Sequence, residues 1–299
     1  GKSAANKTVI NQVKLDHHRM QQSSAAVTTS LPGPAVQALA IAVALAGVAS
    51  LLLLSSSLFS FTSPSQGKAP FSVLSRWPWE EEPAMAARSF VLWLHGLGDS
   101  GPANEPIKTF FTAPEFKHTR WSFPSAPHMP VSCNYGAIMP SWFDIQEIPV
   151  AVESPKDESG LMKAVKSVHA MIDNEISSGT SPENIFVCGF SQGGALALAS
   201  VLLFPRTLGG GAVFSGWVPL NSSIIKDISS EAKKTPLLWL HGLADRTVLF
   251  SAGQAGLPFI EQAGMKCEFK AYPNLGHSIN DEELLSLESW IKVRLQSSS

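Results

Sequence analysis

Hydrophobic and polar positions follow a regular rhythm from about residue 88 onward. Residues 90–94 and 185–188 are continuous apolar runs, which are typical of strands buried on both faces of a parallel sheet. Three further short runs predict strands at 211–214, 237–240 and 267–272. Each run is followed by glycines or polar residues, so the pattern predicts strands that end in loops.

Longer amphipathic or apolar stretches lie between these runs. Apolar residues recur three and four positions apart from Leu161 to Ile176, which predicts one face of a helix. An Ala/Leu-rich segment predicts a second helix ending near Phe204, and Asn280 with Glu283 forms a capping box at the start of a last helix. Alternating strands and helices predict an α/β fold, with a mostly parallel, twisted sheet covered by helices on both faces.

Composition narrows the functional classes. The 299 residues carry a formal net charge of −2 and no basic run, which argues against a nucleic-acid-binding protein. Three cysteines lie far apart without a CxxC pair, a usage that favours a reducing compartment over a disulfide framework. No phosphate-cradling or metal-ligating motif occurs. We therefore expect neither a metal nor another cofactor.

The N-terminal part of the chain has a different character. No charged residue occurs from position 21 to 67, and residues 35–61 are almost wholly apolar or small, longer than the roughly 20 residues that cross a bilayer as a helix. The predicted organisation is a polar, disordered segment (1–34), a transmembrane or targeting helix (35–61), a linker (62–87) and a catalytic domain (88–296). A cleaved signal or transit peptide is the alternative for 35–61.

A Gly-x-Ser-x-Gly motif stands between a predicted strand and a predicted helix. The motif places Ser191 between Gly189 and Gly193. On a sharp turn of this kind, small flanking residues let the backbones pass closely and lift the serine hydroxyl above the sheet. Ser191 is therefore the predicted nucleophile of an α/β-hydrolase fold, and the remaining length leaves no room for a large cap domain.

The base and the acid are predicted from chain order, because in this fold the acid and then the histidine follow the serine. His277 lies in a loop after the strand at 267–272, whereas His241 abuts a strand end and is interpreted as structural. Asp245 follows the strand at 237–240 by a short loop, whereas Asp227 lies in a Ser/Lys-rich surface stretch. The predicted triad is Ser191, Asp245 and His277.

An oxyanion hole needs two N–H groups that point at the acyl oxygen. The amide of Gln192, which follows the nucleophile, is the first candidate. The second is the amide of Leu97, in the glycine-containing loop after the first predicted strand. Glycines in that loop let the backbone approach the substrate.

Four motifs resemble those of the acyl-protein thioesterase, or phospholipase/carboxylesterase, family, and in particular its plant carboxylesterase branch. They are Leu-His-Gly-Leu-Gly-Asp at 94–99, Met-Pro-Ser-Trp-Phe-Asp at 139–144, Gly-Phe-Ser-Gln-Gly-Gly at 189–194 and Gly-His-Ser at 276–278. The resemblance implies a cofactor-free esterase or thioesterase acting on lysophospholipids, S-acylated proteins or small acyl esters. It also implies that Trp142 lies near the acyl group.

Two departures from the family's animal members bear on substrate and location. Residues 133–138 replace a methionine-rich stretch that borders their acyl site, and no cysteine suited to lipid attachment stands near Met85. We expect a catalytic domain that faces the cytoplasm, either anchored by 35–61 or soluble with a start near Met85. Two other functions fit the same residues: a small-molecule receptor with slow turnover, or a serine peptidase.

Overall fold

The structure is a computed structural model that describes residues 89–297. Within that range the strands are β1 (Ser89–Leu94), β2 (Thr119–Ser122), β3 (His128–Val131), β4 (Ala137–Pro140), β5 (Ile185–Phe190), β6 (Gly210–Phe214), β7 (Leu237–Gly242) and β8 (Cys267–Tyr272). The α-helices are α1 (Gly101–Asn104), α2 (Glu158–Ser177), α3 (Gln192–Leu203), α4 (Phe250–Gln254), α5 (Gly256–Gln262) and α6 (Asp281–Ser297).

Six of the strands form one parallel sheet in the order β2-β1-β5-β6-β7-β8. Strands β3 and β4 pair separately as an antiparallel hairpin. Because all six strands of the main sheet run in the same direction, the loops at their carboxyl ends lie along one edge. Residues that follow β1, β5, β7 and β8 can therefore meet there, although they are far apart in the chain.

The sheet separates two apolar clusters, as the alternation of side chains along a strand requires. In β1, Leu92 faces a cluster that includes α2 and α3, and Trp93 faces the cluster that includes α6. Both side chains are fully buried. The sheet is covered on both faces, which explains why the central strands are apolar at most positions.

The predicted fold class is confirmed, with strands at all five predicted runs. The capping box is present too: the Glu283 amide donates to Asn280 Oδ1 at 2.8 Å, and the Asn280 amide donates to Glu283 Oε2 at 3.1 Å. The sequence analysis missed β2 at the sheet edge and the β3–β4 hairpin. Their residues are half-buried or exposed for the most part, so they lack the apolar run that marks a central strand.

The segments predicted at 1–34, 35–61 and 62–87 lie outside the described residues, so the domain organisation stays a prediction. Among residues 89–297, no helix combines the length and the apolar character needed to cross a bilayer.

Candidate active site

Ser191 lies on a sharp turn between β5 and α3. Its backbone adopts φ 55° and ψ −121°, in the region that residues other than glycine rarely visit. A Cβ built on Gly193 would lie 2.1 Å from the carbonyl oxygen of Leu94, and one built on Gly189 would lie 2.2 Å from that of Gly193. Close backbone packing therefore requires both glycines and holds the serine in this conformation.

Two other predicted residues meet Ser191 at the carboxyl edge of the sheet. His277 follows β8, and its Nε2 lies 2.8 Å from Ser191 Oγ. Its Nδ1 lies 2.7 Å from Oδ2 of Asp245, which follows β7. The Phe190 ring packs against the imidazole with 4.8 Å between ring centroids. The structure thus brings the three residues of the predicted triad into one continuous line of hydrogen bonds.

Asp245 is buried and fully engaged. Its Oδ1 accepts the backbone N–H groups of Thr247 and Val248 at 2.9 and 3.0 Å. Burial pushes the pKa of Asp245 upward, but the hydrogen bond and charge of His277, together with those two amides, outweigh it. The net result is a pKa below the ordinary value for aspartate, so the carboxylate is ionised opposite His277.

His241 lies beneath this arrangement, as the sequence analysis interpreted it. Its Nε2 is 3.0 Å from the Val248 carbonyl oxygen and 3.5 Å from Asp245 Oδ2, and its side chain is fully buried. Burial lowers the pKa of His241, which keeps the ring neutral. Asp227, the alternative acid, is exposed on a 3₁₀ helix and does not belong to this cluster.

The two predicted oxyanion donors belong to segments that lie close to the nucleophile. Gln192 is the first residue of α3, and the loop containing Leu97 passes so close that a Cβ built on Gly96 would lie 3.4 Å from Ser191 Cβ. Within the described part of the chain, neither amide donates a hydrogen bond to another residue. Both N–H groups are therefore free to donate a hydrogen bond to a bound substrate.

The side chain of Gln192 has a second function that the sequence analysis missed. Its Nε2 donates to Ser141 Oγ at 2.9 Å and to the Phe143 carbonyl at 2.6 Å, while its Oε1 accepts the Trp142 amide at 3.1 Å. Trp142 is buried, and its Nε1 donates to the His95 carbonyl at 2.9 Å. No local pattern could reveal this clamp, because its partners stand about fifty positions apart.

Among residues 89–297, no group of three or more His, Cys, Asp or Glu side chains is arranged to hold a metal ion. The three cysteines, all within that range, are free. The site displays a serine hydroxyl within hydrogen-bond reach of a histidine, whose other ring nitrogen contacts a carboxylate.

Comparison with known proteins identifies the family. The model of the phospholipase/carboxylesterase family of α/β-hydrolases matches residues 80–295. The chain belongs to this family. It is therefore a hydrolase, and the resemblance seen in the four motifs is confirmed.

Several plant proteins are similar to this chain, at identities from 29% to 70%. A probable carboxylesterase, SOBER1-like, of Arabidopsis thaliana is 70% identical over 213 residues, which cover 71% of this chain and 81% of that protein. The crystal structure of Arabidopsis thaliana SOBER1 is 66% identical with a TM-score of 0.69, covering 70% of this chain and all of that one. The crystal structure of Zea mays acyl-protein thioesterase 2 is 29% identical with a TM-score of 0.61, and the match covers 71% of this chain and 96% of that one.

Proposed function

We propose that this chain is a serine carboxylesterase and acyl thioesterase that works through an acyl-enzyme on Ser191. One observation carries the proposal: hydrogen bonds of 2.8 and 2.7 Å link Ser191 Oγ to His277 and His277 to Asp245. A serine hydroxyl is a weak nucleophile and needs a base within hydrogen-bond reach, which this line supplies.

Acylation follows from the geometry. Ser191 Oγ attacks the carbonyl carbon while His277 Nε2 takes the hydroxyl proton, and the Asp245 carboxylate stabilises the imidazolium through Nδ1–H. The carbonyl oxygen becomes an oxyanion that accepts hydrogen bonds from the Leu97 and Gln192 amides. Because these donors are fixed before the reaction, they stabilise the transition state without reorganisation. The C–O or C–S bond then breaks, and His277 protonates the departing alcohol or thiol.

Deacylation uses the same groups in reverse. His277, neutral again, removes a proton from water, and the hydroxide attacks the acyl carbon of the Ser191 ester. A second oxyanion forms in the same hole. Its collapse releases the carboxylic acid and returns the proton to Ser191 Oγ. The cycle consumes only ester or thioester and water, so no cofactor takes part.

The substrate is an acyl ester or thioester, with lysophospholipids, S-acylated proteins and small acyl esters as the candidate classes. One similar protein is named a probable carboxylesterase and another an acyl-protein thioesterase. These names support both esters and thioesters as substrates. We propose that Trp142 borders the acyl group, since its backbone is clamped by Gln192 next to the nucleophile. No particular observation favours a receptor or a peptidase.

A labelling experiment tests the mechanism. A fluorophosphonate probe should label the wild-type chain at one site, and Ser191→Ala should remove both labelling and hydrolysis of 4-nitrophenyl acetate. Labelling without turnover would favour the receptor, and cleavage of 4-nitroanilide amides at rates matching the esters would favour a peptidase. Turnover retained by Ser191→Ala would refute the proposal.

A substrate series tests the acyl preference. Esters and matched thioesters with two to sixteen acyl carbons, lysophosphatidylcholine and an S-palmitoylated peptide should be compared by kcat/KM. Because residues 133–138 replace the methionine-rich stretch of the animal members, we expect short acyl chains to be preferred. A maximum at sixteen carbons would contradict this expectation.

We also propose that the catalytic domain faces the cytoplasm, anchored or not by residues 35–61. The three free cysteines support a reducing compartment. Asn221 is exposed and begins the sequon Asn-Ser-Ser, which can be glycosylated only in a lumen. The full chain expressed in plant cells should show no mobility shift on glycosidase treatment. A shift that Asn221→Gln abolishes would overturn the cytoplasmic placement.

A further inference from the structure

The loop that carries the second oxyanion donor is held by a buried histidine for which the reaction itself has no use. His95 directly follows β1, and none of its surface is exposed. Its Nδ1 lies 2.7 Å from the Gly96 carbonyl oxygen, and its Nε2 lies 2.9 Å from the Ala126 amide nitrogen. Both ring nitrogens are therefore engaged by backbone groups of opposite character.

These two contacts define the tautomer. The Ala126 amide can only donate, so Nε2 must present its lone pair. The proton of a neutral ring then resides on Nδ1 and is donated to the Gly96 carbonyl. Burial lowers the pKa of His95, so the ring stays neutral. A doubly protonated ring would place an N–H against the Ala126 N–H.

The Gly96 carbonyl belongs to the same peptide plane as the Leu97 amide. Because a trans peptide is planar, its C=O and N–H point in opposite directions. A hydrogen bond that fixes the Gly96 carbonyl on the His95 side therefore directs the Leu97 N–H to the other side. The Asp99 amide also donates to this carbonyl, at a longer 3.3 Å. The imidazole makes the shorter of the two contacts that orient this plane.

We propose that His95 is a positioning residue that keeps the Leu97 N–H directed into the oxyanion hole through its Nδ1–H bond to the Gly96 carbonyl. The inference rests on the proposed function, since it assigns a cause to the orientation of one of its donors. Trp142 adds to the arrangement by donating from Nε1 to the His95 carbonyl. His95 itself does not contact the reacting atoms.

Two substitutions separate the two contacts of the ring. Asparagine carries an amide nitrogen where histidine has Nδ1, so His95→Asn keeps a donor for Gly96 and loses the acceptor for Ala126. Glutamine reaches the position of Nε2, so His95→Gln keeps an acceptor for Ala126 and loses the donor for Gly96. His95→Ala loses both. A residue that merely ties the Ala126 segment in place would be replaced best by glutamine.

The activity of each variant should be measured as hydrolysis of 4-nitrophenyl acetate by the full chain. Removing an oxyanion donor outright costs about 10²–10³ in kcat, and a misdirected donor should cost about 10–100-fold in His95→Ala and His95→Gln, with KM nearly unchanged. His95→Asn should retain a clearly higher kcat than His95→Ala or His95→Gln. Affinity for a trifluoromethyl ketone, whose hemiketal oxyanion occupies the same hole, should fall in parallel with kcat. Melting temperatures measured alongside report any loss of fold.

Several results would overturn the inference. The first is a kcat for His95→Gln as high as that for His95→Asn. The second is a change in the variants that is confined to KM or to melting temperature. The third is an affinity for the trifluoromethyl ketone that is equal in all variants. Should the variants fail to fold, ¹⁵N NMR of the wild-type imidazoles decides, because a proton on His95 Nε2 contradicts the proposal. If Ser191→Ala retains turnover, the proposed function itself is refuted. If Ser191→Ala loses turnover while the His95 variants keep the kcat of wild type, only the positioning role is refuted.

Discussion

Replacing Asp245 by asparagine should invert the hydrogen bond that makes His277 a base. Oδ1 of Asp245 accepts two backbone N–H groups, from Thr247 and Val248, at 2.9 and 3.0 Å. Those donors hold the carbonyl oxygen of an asparagine in the same place. The amide NH₂ then occupies the position of Oδ2, 2.7 Å from His277 Nδ1.

The consequence is a wrong tautomer. A donor facing Nδ1 requires a lone pair there, so the His277 proton moves to Nε2 and points at Ser191 Oγ. Nε2 can then no longer accept the hydroxyl proton. The same change in a serine protease lowers kcat about 10⁴-fold with the geometry intact, which corresponds to about 5 kcal/mol of lost transition-state stabilisation. We expect a loss of that order here, with KM changed little.

The assay is steady-state hydrolysis of 4-nitrophenyl acetate by Asp245→Asn, with thermal melts to confirm folding. Asp227→Asn is the matched control, since Asp227 is exposed and Asp245 is the aspartate that contacts His277. Asp227→Asn should hydrolyse 4-nitrophenyl acetate at the wild-type rate. Activity of the Asp245 variant within tenfold of wild type, or a large loss in the Asp227 control, would refute the tautomer argument.

Three further outcomes are expected. Ser191→Ala and His277→Ala should each remove nearly all esterase activity and the double variant should be scarcely worse, because triad members act as a unit; additive losses in kcat would contradict the assignment. Gln192→Ala should leave the buried Trp142 amide without its acceptor, lowering the free energy of unfolding by about 1–3 kcal/mol in urea titrations; an unchanged midpoint would contradict the clamp. Burial raises the pKa of Glu283 to about 7 from 4.5, so its ionisation destabilises the folded state as pH rises between those values. Glu283→Gln should remove this slope and gain up to about 3 kcal/mol relative to wild type at pH 8; equal pH profiles of stability would refute it.

The site could be predicted from sequence where its residues stand at strand ends. A parallel sheet brings the loops after β5, β7 and β8 to one edge, so chain order together with position after a predicted strand grouped Ser191, Asp245 and His277. The roles of individual atoms were not accessible in this way. The Gln192 side chain accepts from the Trp142 amide 50 positions away, and the His95 ring accepts from the Ala126 amide 31 positions away. Such long-range contacts leave no periodic trace in the sequence.

The fold shows the same division. Strands β1 and β5 are recognisable because both of their faces are covered, which makes nearly every position apolar. Strand β2 pairs only with β1 at the edge, and its half-buried residues, such as Thr119 and Ser122, alternate too weakly to be distinguished from a loop. The β3–β4 hairpin includes Pro130 and Pro140, and proline is disfavoured in strands because it has no backbone N–H to donate.

The order of the site residues along the chain has a consequence for biosynthesis. Ser191 is translated 86 positions before His277, the base that activates it. At roughly 5–20 residues per second, the nucleophile waits on the order of ten seconds for its partner. During that interval β7 and then β8 are synthesised, but the proton acceptor His277 follows both of them in the chain. Hydrolytic capacity therefore emerges late in synthesis, when the carboxyl-side strands join the sheet.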